Sequence, residues 1–368
     1  MKNNSLVLIL LFVNLIGFTQ EYEFETTIDL EATDVISQGN TGTCWSFSTS
    51  SFLESEIMRL TGKKIDISEM FTVRHTYPKK AWTYVMRQGH AQFSEGGLGH
   101  DVINSVSEFG VVPNEIYTGL LNNEKKHSHS KMTDSIKTIL KAYINDRKSY
   151  TSNLQDDVNA ILDAYLGDDI KTFSYDGVRY TPKSFLEMTK INPSDYVSIT
   201  SFSHEPYYSE FILDIPDNFA NGSFFNVPLD ELTTIANYAL RNGFTIELDC
   251  DVSEQTFSSK HGIAVVPENE DRAALIKISP EKRITEAYRQ EEFENYNTTD
   301  DHLMHITGML KDQKGTKYYK VKNSWGTSGV GHDGYVYMSE AYFKLKTISI
   351  MVHKDAIPNQ IKTKLLLK

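Results

Sequence analysis

Two thiols occur in 368 residues, at positions 44 and 250. The first lies in Q-G-N-T-G-T-C-W-S-F (38–47), between a glycine-bearing turn and the start of an apolar run. A thiol attacks a carbonyl as the thiolate, and its ordinary pKa leaves little of that form at neutral pH. A helix N-terminus and a neighbouring imidazole both lower the pKa, and the turn before Cys44 puts it at such a start. Gln38 is placed so that its amide can turn back and, with the backbone N–H of Cys44, donate to the oxyanion formed on attack. Far downstream, D-H-L-M-H-I-T-G offers a histidine, His302, opening a strand, and K-V-K-N-S-W-G offers Asn323, with Trp325 two residues on. Two blander readings compete. A cysteine beside Trp45 and Phe47 also fits a small core hydrophobe. His302 and His305 could be taken as an H-x-x-H metal pair, but on a strand positions three apart face opposite sides.

These residues need a helix to carry the thiol and a sheet to carry the base. From Trp45 to Leu60 the apolar positions Phe47, Phe52, Ile57 and Leu60 recur in a helical rhythm that ends at Thr61-Gly62, as a C-cap would. Val102–Phe109 predicts a second short helix, stopped by Gly110. Asp157–Leu166 and Leu229–Leu240 are helical patches in a polar middle without chemical motifs. After Gly243 the runs FTIELDCDV, HLMHITGML, TKYYKVKNSW, GYVYMS and TISIMVHK are rich in β-branched and aromatic residues, which predicts strands. The chain thus divides into a helical lobe with the nucleophile (21–123), a mostly helical insertion (124–240), a β-rich lobe with His and Asn (241–358) and a short tail (359–368).

Composition narrows the function. With 40% hydrophobic and 11% aromatic residues the chain can bury a large core. A net charge of −12, from 37 basic and 49 acidic residues, argues against a nucleic-acid partner, and the pairs Lys63-Lys64, Lys79-Lys80 and Lys125-Lys126 read as solvated faces. Lys2 followed by an apolar stretch from Leu6 to Phe18 predicts a cleaved signal peptide over 1–20 and export to a periplasmic or extracellular location. No cysteine follows it to take a lipid, so no stable membrane anchor is expected. Both thiols are expected to be free, with Cys250 buried in a strand. His75, His90 and His100 lack ligand spacing, and His127-Ser-His129 reads as surface loop. Asn221 and Asn297 begin glycosylation sequons.

The order Gln38, Cys44, His302, Asn323, with G-T-C-W-S-F-S and N-S-W-G, resembles the papain-like cysteine peptidases. That resemblance implies an α+β, two-lobed papain-like fold and roles residue by residue. Cys44 would be the nucleophile, Gln38 the oxyanion-hole amide, His302 the base and Asn323 its orienting partner. Trp325 would shield that hydrogen bond, Gly96-Gly97 in S-E-G-G-L-G would pair with extended substrate, and Trp45 would join them at the substrate. Two departures refine it. Thr41 stands where papain has a disulfide cysteine, and 258 positions separate Cys44 from His302, against roughly 130–150 in papain-like enzymes. Both are similar to the bleomycin hydrolase and aminopeptidase C branch, as are E-F-G-V-V-P, L-D-C-D-V, H-L-M and H-D-G-Y-V-Y-M.

The resemblance implies peptide substrates, hydrolysis through a thioester acyl-enzyme, no metal or organic cofactor, and an assembly of identical chains, a hexamer in that branch. In the branch the chain's terminal carboxylate lies in the cleft and pairs with the substrate's α-amine, restricting the enzyme to N-terminal residues. Here the tail NQIKTKLLLK is short and ends on Lys368. Aminopeptidase chemistry is the main expectation. The alternatives are a papain-like endopeptidase with an open cleft, an inactive peptide-binding homologue, or transamidation by the same residues.

Overall fold

The computed structural model describes residues 20–146, 153–269 and 271–367. The expected signal peptide lies outside these residues save for Gln20, as does Lys368. In chain order, β1 (Phe24–Asp29) precedes five helices, α1 (Cys44–Thr61), α2 (Glu69–Met86), α3 (Gly99–Phe109), α4 (Ser130–Asn145) and α5 (Leu154–Leu166). Then come β2 (Phe173–Tyr175), β3 (Val178–Tyr180), α6 (Pro182–Thr189), β4 (Tyr196–Thr200), β5 (Glu210–Ile212), β6 (Ser223–Asn226) and α7 (Leu229–Arg241). The last part holds β7 (Ile246–Cys250), β8 (Phe257–Ser258), β9 (Ile263–Ala264), α8 (Glu286–Glu294), β10 (His302–Asp312), β11 (Lys317–Lys322), β12 (Tyr335–Ser339), α9 (Glu340–Lys346), β13 (Thr347–His353) and α10 (Asn359–Lys364).

Helix α1 is buried on every side from Cys44 to Met58. Its apolar residues Phe47, Phe52, Leu53 and Ile57 join the core shared with α2 to α5. Three of its serines find partners: Ser46 Oγ donates to Glu69 O (2.8 Å) and Ser55 Oγ to Glu31 O (2.8 Å), while Ser51 Oγ pairs with His305 Nδ1 (3.0 Å). Gly62 ends the helix at φ 71°, a left-handed position natural to glycine, and its N–H reaches Met58 O. Helix α2 is absent from the expected elements. Pro78 and its scattered Thr, Arg and Tyr residues blur the apolar stripe, yet Ser68 caps it through Phe71 N (3.0 Å).

An 11-stranded sheet runs β5-β6-β4-β13-β7-β10-β11-β12-β9-β8, with β1 added to β10. Strand β10 is buried almost throughout, because both its faces are covered. Met304 and Ile306 pack with α7, whereas Leu303 belongs to the core of α1 and His305 bonds Ser51 of that helix. One edge of β10 is shared: β7 pairs its first half, from His302↔Cys250 to Ile306↔Ile246, and β1 pairs its second, from Gly308↔Asp29 to Asp312↔Phe24. Residues 124–240 hold four helices and five short strands, and β4, β5 and β6 extend the main sheet beyond β13. The middle of the chain is therefore built into the sheet as well as into the helical layer. Among the described residues no helix is long and apolar enough to cross a membrane.

Candidate active site

Cys44 is the first residue of α1, so its N–H belongs to the turn of helix donors with no intrahelical partner. The turn before it is fixed from three directions. Gly42 N donates to Glu95 Oε2 (2.6 Å), Thr41 Oγ1 to Gln38 O (3.0 Å), and Gln38 Nε2 to Thr41 O (2.7 Å). At Gly39, φ is 70° and an added Cβ would lie 2.6 Å from His127 O, so glycine is required there.

His302 is the first residue of β10. His302 Nε2 shares a hydrogen bond with Asn323 Oδ1 (2.8 Å), both residues being buried. Trp325 lies over the imidazole, with ring centroids 4.7 Å apart and planes tilted by 32°. The Leu303 backbone N–H, next in sequence to His302, lies close enough to the Cys44 sulfur to favour its thiolate. Helix α1 and strand β10 thus bring the thiol next to the residue that follows His302, and Asn323 engages Nε2 of that imidazole and not Nδ1.

The loop after β11 also reaches the oxyanion side. Gln38 N donates to Ser324 O (2.8 Å), Ser324 Oγ donates to Gln38 Oε1 (2.6 Å), and Gly326 N to Ile36 O (3.1 Å). Ser324 thereby sets which way the Gln38 amide faces. It was missed in the sequence, where the only signal was its place beside Asn323.

Burial dominates the electrostatics. It pushes the Cys44 thiol up to about 12, against the Leu303 N–H and with help from Asp300, Asp217 and Asp249. It pulls His302 down to about 4, against the Asn323 hydrogen bond. Burial thus works against the expected thiolate–imidazolium pair by favouring the neutral form of each group, opposed by the Leu303 N–H at the thiol and by Asn323 at the imidazole.

The Gly96-Gly97 stretch differs from the expectation. Lys80 Nζ donates to Gly96 O, Gly96 N donates to Ser94 Oγ (3.3 Å), and an added Cβ at Gly96 would meet Asp217 Oδ2 at 1.9 Å. Gly96 is thus engaged at both its carbonyl and its N–H, whereas Gly97 is buried against the Trp45 ring. Trp45 does not touch the cleft: it is fully buried, its Nε1 donates to Glu95 O (2.9 Å), and its ring lies beneath Gly97. Lys80 is buried rather than solvated, and its stem-borne charge sits over Phe219. His129 is buried too, and its segment forms a bridge to the oxyanion turn through Asn40↔Ser128, so 127–129 is a buttress and not a free surface loop.

Both cysteines are free and Cys250 is fully buried. Behind α1, a cavity of about 230 Å³ is lined by Glu54, Asp66, Glu69, His305 and Lys322. The three carboxylates offer oxygens within 4.8 Å of one another, as a cation site would. Lys322 already supplies countercharge there, bonded to Thr33 Oγ1 (2.9 Å) and Ser51 Oγ (2.7 Å). The tail forms α10, whose Ile361 and Leu365 pack in the α7 cluster, on the face of the sheet opposite α1. Its Lys362 pairs with Asp355 (3.0 Å) and its Lys364 hydrogen-bonds Tyr208 Oη (3.1 Å).

The model of the Peptidase C1-like family matches residues 85–366. Aminopeptidase G of Lactobacillus delbrueckii subsp. lactis is 23% identical over 374 residues, covering 89% of this chain and 82% of that protein. Aminopeptidase C of Listeria monocytogenes is 26% identical over 190 residues, covering 50% of this chain and 41% of that protein. The crystal structure of PepW from Lactobacillus rhamnosis superposes with a TM-score of 0.70 at 19% identity, covering 93% of this chain and 84% of that one.

Proposed function

The chain belongs to the Peptidase C1-like family, and on that premise we propose that it is a cysteine aminopeptidase. Cys44 would be the nucleophile, His302 the base, Asn323 its orienting partner and Gln38 an oxyanion donor. The observation that carries the reading is the buried His302 Nε2–Asn323 Oδ1 hydrogen bond under Trp325, one residue from the backbone N–H that meets the Cys44 sulfur. Aminopeptidases G and C among the similar proteins support the exopeptidase part.

In the proposed reaction the neutral thiol gives its proton to His302 Nδ1 as the sulfur attacks the substrate carbonyl, so no stable ion pair is required beforehand. The Cys44 N–H and the Gln38 amide receive the oxyanion. His302 then protonates the leaving amine, a thioester remains, and water attacks with His302 again as base. Asn323 steadies the imidazolium that forms in each half-reaction.

The apolar run 6–18 supports export, which N-terminal sequencing of secreted material tests. Assembly into a hexamer rests on the branch resemblance alone, and sedimentation tests it. For the activity itself, aminoacyl coumarins are compared with N-blocked peptidyl coumarins. Hydrolysis of the free-amine substrates that disappears in Cys44→Ala is the expected result. Preferential cleavage of the blocked ones would mean an endopeptidase, and no hydrolysis of either would overturn the reading.

A further inference from the structure

Resting on the aminopeptidase reading, we propose that Asp300 and Asp217, backed by Asp249, form the subsite that receives the α-ammonium of the substrate's N-terminal residue.

The three acids come from separate parts of the chain. Asp217 lies between β5 and β6, its Oδ1 held by Gln92 Nε2 (2.7 Å) and Ser94 Oγ (3.3 Å) while Oδ2 lies over Gly96. Asp300 is two residues before His302, and its Oδ2 is buried without a donor. Asp249 lies on β7 opposite Leu303, fully buried, and neither of its oxygens receives a protein donor. It faces Asp300; burial, with Asp300, raises it well above the usual carboxylate range, while burial, with Asp217, pushes Asp300 up to about 7. All three bear on the Cys44 thiol.

Such a group is costly as it stands. Buried carboxylates without donors or counter-ions are unfavourable by several kcal/mol, and Lys80, the cation among them, is committed to Gly96 O. An ammonium brings three N–H donors and one positive charge, which is what donor-poor acids lack. The position suits it as well. The α-nitrogen of the residue being cleaved off is two bonds from the carbonyl that the sulfur attacks. In a substrate extended by another residue, this nitrogen is an uncharged amide and the chain must continue toward Gly96, where Asp217 stands. The same carboxylates would therefore attract a chain end and turn away a chain interior. Because α10 packs on the opposite face of the sheet, this selection would come from side chains of the cleft.

The test has two arms. In turnover, wild type, Asp300→Asn, Asp217→Asn and Asp249→Asn/Asp300→Asn are compared on alanyl coumarin and N-acetyl-alanyl coumarin, with thermal unfolding to confirm the fold. Losing one partner of a buried charge pair predicts KM for the free amine rising by about 30-fold or more, with kcat less affected and the preference over the acetylated substrate shrinking accordingly. In binding, Cys44→Ala is titrated with alanyl-alaninamide and its N-acetyl form, and the same aspartate changes are added to it. Preference for the free amine that the aspartate changes erase supports the proposal. An unchanged preference in folded variants, or equal binding of both peptides by Cys44→Ala, overturns it while leaving peptidase chemistry untouched. A protein that hydrolyses nothing yet binds the free amine selectively would instead overturn the enzymatic reading and keep the subsite.

Discussion

Replacing Asn323 by alanine isolates the base from the rest of the site. The change removes the 2.8 Å hydrogen bond to His302 Nε2, in surroundings where both residues are at most 4% exposed. A hydrogen bond to a group that becomes charged contributes about 1.5–3 kcal/mol, and each 1.36 kcal/mol is a factor of ten. So kcat/KM on an aminoacyl coumarin should fall by roughly 10- to 150-fold, with most of the loss in kcat because the imidazolium exists only along the reaction. The pH profile supplies a second reading. Burial holds His302 near 4 and the Asn323 bond works upward, so its removal moves the acid limb to lower pH. Asn323→Asp keeps an acceptor and adds a negative charge, which moves the limb to higher pH. Ser324 N also loses its acceptor, at 2.7 Å, so urea unfolding must show that the variant is folded. If the folded alanine variant keeps kcat/KM within about threefold, His302 is not oriented by Asn323 in the reaction and the assignment of the base fails.

Four further outcomes follow from the same geometry. Ser324→Ala frees the Gln38 amide to turn and should lower kcat by about three- to tenfold at nearly constant KM, measured on the same substrate. Gly39→Ala places a Cβ against His127 O at a left-handed φ. It should therefore impair turnover through the oxyanion turn, and a fully active variant in steady-state assays would show that the turn yields. Glu247 is 2% exposed and burial pushes it up to about 8. The folded state thus keeps a proton that the unfolded state releases near 4.5, and stability falls as pH rises between the two values. Glu247→Gln should then stabilise the protein by at most about 5 kcal/mol above pH 8 and by nothing below pH 4.5 in urea titrations, and equal gains at both ends would contradict this. Iodoacetamide should alkylate Cys44 before the fully buried Cys250, as read by peptide mass mapping.

The chemistry-bearing residues were legible because each sits in a short run with its own signature. Cys44 follows a glycine turn and opens a helical stripe, His302 opens a β-branched run, and Asn323 precedes Ser-Trp-Gly. The strands after Gly243 and the end of α1 at Gly62 were legible for the same local reasons. What escaped depends on contacts between distant segments. Lys80 looks like half of a solvated pair until Gly96 O claims it, and His129 looks like surface until the Gln38 turn packs on it. Trp45 points under the cleft because Glu95 O draws its N–H there. Asp217, Asp249 and Asp300 lie in three different segments, and only the fold makes them neighbours. The burial that pushes the Cys44 thiol up and the His302 imidazole down was equally hidden, since it is a property of the assembled lobes and not of either motif.

Strand β1 carries a consequence for how such an enzyme could be controlled. It is hydrogen-bonded along the second half of β10, the strand whose first residue is the proposed base. Cutting it away would strip backbone partners from that strand and loosen the very element that aims the imidazole. Clipping within β1 would thus damage the machinery rather than uncover it.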